Sequence, residues 1–162
     1  MPTIYFTRLL GIVHLVRFLS LALLLVLIEI KFASCGASLN EFLGFNYYTI
    51  LFFYIIVWVA FAFDIYFLLN RLFGSVEFQA RKSAIVLHVC LSLAFLLGSC
   101  FTLYAMIDSR DGHVITQQDF GDPLQRVIPL TSTCNRLRLI GVLFGCLISV
   151  LYSVALVLVH RS

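Results

Sequence analysis

Three ionisable side chains lie inside long hydrophobic segments, where an isolated charge is strongly disfavoured. They are Arg17, Asp64 and His88. Counting inward along each helix at 1.5 Å per residue puts all three roughly 9–12 Å inside the same membrane boundary. Charges at that depth usually pair with one another or face water. We therefore predict that Arg17 and Asp64 form an ion pair in the protein interior, with His88 as a hydrogen-bonding neighbour.

Two interpretations of this intramembrane polar pair are open. The three residues could belong to a proton relay or gate, or the pair could hold the first two spans in register. The second interpretation is favoured because a relay normally needs ionisable groups at several depths. The opposite half of the membrane offers only Glu29, beside Lys31 at its rim. Arg17 could also extend to the lipid headgroups, which would weaken the pair.

Residue types that support catalysis are sparse. A thiol oxidoreductase would need a CxxC pair, and the chain has none. A bis-histidine haem would have only His14 and His88 as ligands, and no serine has the base that a nucleophile requires. The segment from Asp108 to His113 lacks the periodic ligands of an EF-hand loop. We expect no enzymatic activity, no catalytic residue, no cofactor and no metal site.

The five cysteines fall into two groups. Cys90, Cys100 and Cys146 lie within hydrophobic segments, where free cysteine acts as a small apolar side chain. Cys35 and Cys134 lie just outside the first and fourth segments, on the same predicted side of the membrane. They could form a disulfide if that side is oxidising, and the alternative is two free thiols near the interface.

The elements that position these residues are four apolar segments. They run from about Leu9 to Ile30, Tyr48 to Leu69, Ser83 to Met106 and Leu137 to Val159. A helix of roughly 20 residues crosses a hydrocarbon core of about 30 Å, and without proline each segment can be one helix. The chain is 62% hydrophobic and 12% charged, whereas soluble domains carry about 25% charged residues. We predict one all-α domain over residues 1–162, an integral membrane four-helix bundle with short tails and a larger second extracellular loop.

The first segment has an alternative interpretation as a signal peptide. Cleavage would fall near Ala33–Ser34 or before Cys35. Glu29 and Lys31 interrupt the pattern where a signal peptide needs small, uncharged residues, so an uncleaved span is predicted.

Basic residues predict the orientation of the spans. The termini and the short link between the second and third spans carry six of them densely: Arg8, Arg17, Arg71, Arg81, Lys82 and Arg161. The other side carries five over much longer stretches: Lys31, Arg110, Arg126, Arg136 and Arg138. Basic residues near span ends concentrate on the cytoplasmic side, so both termini are predicted to be cytoplasmic.

A stripe of small residues follows one face of the fourth span. Gly141, Gly145, Ser149 and Ser153 recur every four residues, and Ala94, Gly98 and Thr102 repeat the pattern in the third span. Small residues at this spacing let helix backbones approach closely within lipid. The stripes could pack the bundle internally, which is favoured, or form contacts between protomers.

The arrangement resembles small tetraspan membrane proteins of the MARVEL-like and claudin-like type. The similar residues are Gly11 to Arg17 opening a leucine-rich span, Asn46-Tyr47-Tyr48 entering the second, and Leu93 to Gly98 followed by Asp108 closing the third. The short first outer loop lacks a claudin's tryptophan and paired cysteines, and a tetraspanin's Cys-Cys-Gly motif is missing, so the MARVEL-like type fits best. The resemblance implies a role in membrane apposition, in occluding or septate cell junctions at the plasma membrane, or in vesicle trafficking, and implies no catalytic residues.

Two classes of function follow. The first is a structural scaffold that organises junctions or membrane apposition through helix and loop contacts, with MAL-like vesicle trafficking and sorting as its alternative. The second, less favoured, is a small transporter or channel subunit that uses Arg17, Asp64 and His88. The expected partners are the lipid bilayer and other membrane proteins or further copies of the chain. The net charge of +3 is too small and scattered for nucleic acid.

Overall fold

The structure, a computed structural model, describes residues 9–32, 37–39, 43, 47–73, 81–108, 113–115, 127–129 and 132–161. Its main elements are four helices: α1 (Leu9–Glu29), α2 (Tyr47–Phe73), α3 (Arg81–Asp108) and α4 (Ser132–Arg161). Each is long and apolar enough to cross a bilayer. The predicted all-α four-helix bundle is therefore confirmed, and the chain is a multi-pass membrane protein.

The apolar parts of the helices lie close to the predicted limits. They are Leu9–Glu29, Tyr48–Asn70, Ser83–Ile107 and Arg136–Val159.

Short β-hairpins join the helices at one end of the bundle. Between α1 and α2, β1 (Lys31–Phe32) pairs antiparallel with β2 (Ala37–Ser38). Between α3 and α4, β3 (His113–Ile115) pairs antiparallel with β4 (Val127–Pro129). We call this the loop end, and the opposite end, where α1 begins and α4 finishes, the terminal end.

The helices form a ring in chain order, and each packs against two neighbours. The most extensive contact joins α3 to α4. The centre is filled by fully buried apolar side chains from every helix, including Leu21, Leu24, Val57, Phe95 and Ile148. The outward faces are also apolar, since many Leu, Ile and Val side chains on each helix are exposed. A surface of this kind suits lipid, and the helices satisfy their own backbone hydrogen bonds.

Candidate functional site

Arg17 of α1 and Asp64 of α2 meet inside the bundle. Arg17 Nε donates to Asp64 Oδ2 at 2.8 Å, and Arg17 Nη2 donates to Asp64 Oδ1 at 2.5 Å. The side chains are 1% and 2% exposed. Two parallel N–H···O bonds use the planar fork of the guanidinium, which makes this the strongest geometry for an ion pair. The structure thus brings together the two residues whose equal depth in the membrane predicts an ion pair.

Tyr152 of α4 covers the ion pair and was not singled out from the sequence. Its ring centre lies 4.1 Å from Arg17 Cζ, and its hydroxyl donates to Asp64 Oδ1 at 3.4 Å. The side chain is fully buried. One signal was available in the sequence, because Tyr152 is the sole tyrosine of α4 and lies deep in the span, whereas tyrosine favours the membrane interface.

His88 of α3 completes the cluster but is not bonded to the ion pair as expected. Its Nδ1 donates to the carbonyl oxygen of Ala84, one turn earlier, at 2.7 Å. Its ring packs edge-to-face on Tyr152, with ring centres 5.7 Å apart. Asp64 is already held by Arg17, and the helix supplies a nearer acceptor, so His88 turns away. Among the described residues, its Nε2 has no hydrogen-bond partner.

His14 of α1 lies one turn from Arg17 and is buried as well. Its ring centre is 4.6 Å from that of Phe67 and 5.9 Å from that of His88. Phe63 packs edge-to-face on His88 at 6.0 Å, and Phe95 stacks on Tyr152 at 6.1 Å. Aromatic rings therefore surround the polar groups. We call Arg17, Asp64, His88, Tyr152 and His14 the polar cluster.

A second polar contact joins α3 to α4. Ser92 Oγ donates to the Ser149 carbonyl at 3.0 Å, and Ser149 Oγ donates to the Ser92 carbonyl at 2.8 Å. Ser153 Oγ lies 2.8 Å from Ser92 Oγ and donates to the Ser149 carbonyl at 3.1 Å. These reciprocal bonds need closely spaced backbones, which small residues permit.

Glycines of the small-residue stripes are packed inside the bundle. A Cβ on Gly98 would lie 2.6 Å from Phe53 Cδ2, one on Gly145 would overlap Ser99 Oγ, and one on Gly141 would overlap the Leu43 side chain. Thr102 is also buried and bonds back to the Gly98 carbonyl at 3.0 Å. The stripe of α4 leaves the interior only at Ser153, which is exposed.

Arg138 is a second buried arginine, near the loop end of α4. Its side chain is fully buried, although its place at the start of the fourth predicted span makes it one of the five basic residues on the outer side of the membrane. Arg138 lies two residues inside the apolar segment Arg136–Val159, where its long side chain folds into the bundle. Glu29, at the same end, is exposed and accepts a hydrogen bond from Tyr54 at 3.0 Å.

The cysteine predictions are only partly covered by the structure. Cys90, Cys100 and Cys146 are free thiols within the helices. Cys35 and the side chain of Cys134 lie outside the described residues, so their disulfide stays a prediction. Within the described ranges, no three His, Cys, Asp or Glu side chains are grouped closely enough to hold a metal ion.

Together the fold and the polar cluster define a four-span membrane bundle closed around a buried ion pair. No protein-family model, curated protein or solved structure matches this chain.

Proposed function

We propose that this protein is a structural tetraspan scaffold that organises cell junctions or membrane apposition through helix and loop contacts. One observation carries the proposal: α1, α2 and α4 converge on a single closed contact, in which Arg17 and Tyr152 both donate to Asp64 and all three side chains are buried. Such a contact favours one fixed arrangement of the spans. A rigid bundle of this kind presents the same outward faces to its neighbours at all times.

The same contact argues against alternating access. A transporter site lies at a midplane cavity and is exposed to each side in turn. Opening the bundle here would separate Arg17 from Asp64 and leave each charge unpaired in a low-dielectric interior. Aromatic rings also occupy the space around His88 where a wet path would run. The polar cluster is therefore better suited to fixing helix register than to carrying protons.

The α3–α4 interface adds support. Its reciprocal serine bonds, together with the close packing of Gly145 against Ser99, hold the two helices together. Lateral recognition would then depend on the membrane-facing surfaces and on the hairpins at the loop end. In this proposal the protein lies in the plasma membrane at cell contacts, with both termini cytoplasmic.

Localisation of the tagged full-length chain in polarised epithelial cells tests this role. We expect a sharp line at lateral junctions, with the neutral variant Ser20→Ala giving the same line because Ser20 bonds only within its own helix. A vesicular pattern in both proteins would instead favour the trafficking and sorting alternative.

Proton flux in liposomes tests the transporter alternative directly. We expect the reconstituted chain to leave a pH gradient intact, at the level of protein-free liposomes. A flux that is present in the wild type and abolished by Asp64→Asn would contradict the scaffold proposal.

A further inference from the structure

Two nitrogen atoms of the polar cluster are buried without a hydrogen-bond partner among the described residues. They are Arg17 Nη1 and His88 Nε2, and each side chain is only 1% exposed. A buried polar atom without a partner is costly, above all on a charged group, so protein interiors rarely leave one unsatisfied. Both atoms therefore need a partner that the neighbouring side chains do not supply.

Arg17 uses one side of its guanidinium for Asp64. Nε and Nη2 form that side, and they donate to the two carboxylate oxygens. Nη1 is the remaining nitrogen, and its two N–H groups can donate but cannot accept. Since both oxygens of Asp64 already bind the other two nitrogens, the acceptor for Nη1 has to come from elsewhere in the cluster.

The hydrogen bond of His88 to its own helix fixes the tautomer of its ring. Nδ1 lies 2.7 Å from the Ala84 carbonyl oxygen, and a carbonyl oxygen only accepts, so Nδ1 carries a proton. In the neutral ring Nε2 then has a free lone pair and acts as an acceptor. A second proton on Nε2 would add a buried positive charge close to the Arg17 guanidinium, which is unfavourable.

The two unpartnered atoms belong to side chains that pack around the same tyrosine. The Tyr152 ring centre lies 4.1 Å from Arg17 Cζ and 5.7 Å from the His88 ring centre. His14 of α1 and Phe63 of α2 enclose the His88 ring, with ring centres 5.9 Å and 6.0 Å away. One atom is a donor and the other an acceptor, so a single molecule can satisfy both if it accepts from Arg17 and donates to His88.

We propose that an internal water molecule lies between Arg17 and His88, where it accepts from Arg17 Nη1 and donates to His88 Nε2. Water is the smallest molecule that both accepts and donates, and buried waters commonly satisfy polar groups of this kind. An anion would offer no donor to Nε2, and a cation would be repelled by the guanidinium. The water would connect α3 to the ion pair, which the direct hydrogen bonds of His88 do not.

The proposed water is enclosed and does not form a path across the membrane. Towards the loop end the centre of the bundle is filled by fully buried apolar side chains, including Leu21, Leu24 and Val57. These side chains separate the site from that end. The inference concerns the interior of the bundle and is tested without reference to where the protein lies in a cell, so it stands or falls independently of the scaffold role.

Nuclear magnetic resonance of the full-length chain in lipid bilayers, with isotope-labelled arginine and histidine, tests the site. The experiment selects the protons of water and measures how fast their magnetisation reaches each nitrogen. We expect faster transfer to Arg17 Nη1 than to Arg17 Nε, which donates to Asp64 and is the control within the same side chain. We also expect a directly bonded proton on His88 Nδ1 and none on His88 Nε2.

Two variants extend the test. His88→Phe keeps a ring beside Tyr152 but removes the acceptor, so transfer to Arg17 Nη1 should fall to the rate at Nε. Ser20→Ala should keep the wild-type rates, because Ser20 bonds to the Val16 carbonyl of its own helix.

The wild type alone can overturn the proposal, whether or not His88→Phe folds. Equal rates at Arg17 Nη1 and Nε would mean that no water lies against Nη1. A proton bonded directly to His88 Nε2 would mean that this atom does not accept. Unchanged transfer in a folded His88→Phe would show that any water present does not bridge the two residues, which would overturn the proposal as well.

Discussion

The guanidinium carbon of Arg17 lies 4.1 Å from the centre of the Tyr152 ring. Through this ring α4, which has no charged residue at this level, covers the buried ion pair. The electron-rich face of the ring and the Asp64 carboxylate both attract the guanidinium. This contact connects α4 to the pair that α1 and α2 form. The environment of the ion pair is therefore set by three helices, α1, α2 and α4, rather than by two.

The two parts of Tyr152 should contribute unequally to stability. Tyr152→Phe removes only a long hydrogen bond of 3.4 Å and keeps the ring, so its unfolding temperature in detergent should stay near that of the wild type. Tyr152→Leu also removes the cation–π contact and should lower the free energy of unfolding by a further amount of about 0.5–2 kcal/mol. Equal losses in the two variants would assign the contribution to the hydroxyl instead.

Removing one partner of the ion pair should destabilise the protein more than removing both partners. Arg17→Leu leaves Asp64 buried without its partner and should destabilise the protein by about 3–5 kcal/mol. Arg17→Leu combined with Asp64→Leu leaves no buried charge, so the double variant should be more stable than Arg17→Leu alone. Thermal unfolding and the steady-state level in cells measure both. Equal defects in the single and double variants would count against the pair.

The reciprocal serine bonds should hold α3 against α4. Ser149→Ala removes the bond to the Ser92 carbonyl and should destabilise the bundle by about 1 kcal/mol, the scale of interhelical bonds in membranes. Ser20→Ala is the matched control because Ser20 bonds to the Val16 carbonyl of its own helix. The unfolding midpoint in detergent should fall for Ser149→Ala alone, and a similar fall in both variants would assign the effect to serine loss in general.

Gly98 should be required because a phenyl ring occupies the space of its missing side chain. Gly98→Ala places a Cβ 2.6 Å from Phe53 Cδ2 and should cost about 1–3 kcal/mol through overpacking. Phe53→Leu relieves the clash at the expense of a cavity. Stability of the double variant, compared with the two single variants, should show a loss smaller than their sum. Strict additivity would mean that the two residues do not compete for the same space.

The spans and the depth of their charges could be predicted from the sequence alone. The bilayer sets the length of an apolar helix, and the constant rise per residue converts chain position into depth. For this reason Arg17 and Asp64 could be matched before any packing was known. The limits of the four apolar segments followed from the same reasoning.

Only the tertiary structure decided which side chains face one another. That depends on the order of the helices in the ring and on the rotation of each helix about its axis. Neither can be deduced from the depth of a residue in the membrane. Depth alone therefore predicts a hydrogen bond from His88 to the ion pair, whereas Tyr152 covers the pair and His88 bonds to the Ala84 carbonyl. The burial of Arg138 and the packing of Phe53 against Gly98 arise in the same way, since lateral packing within lipid selects among rotations that hydropathy leaves equivalent.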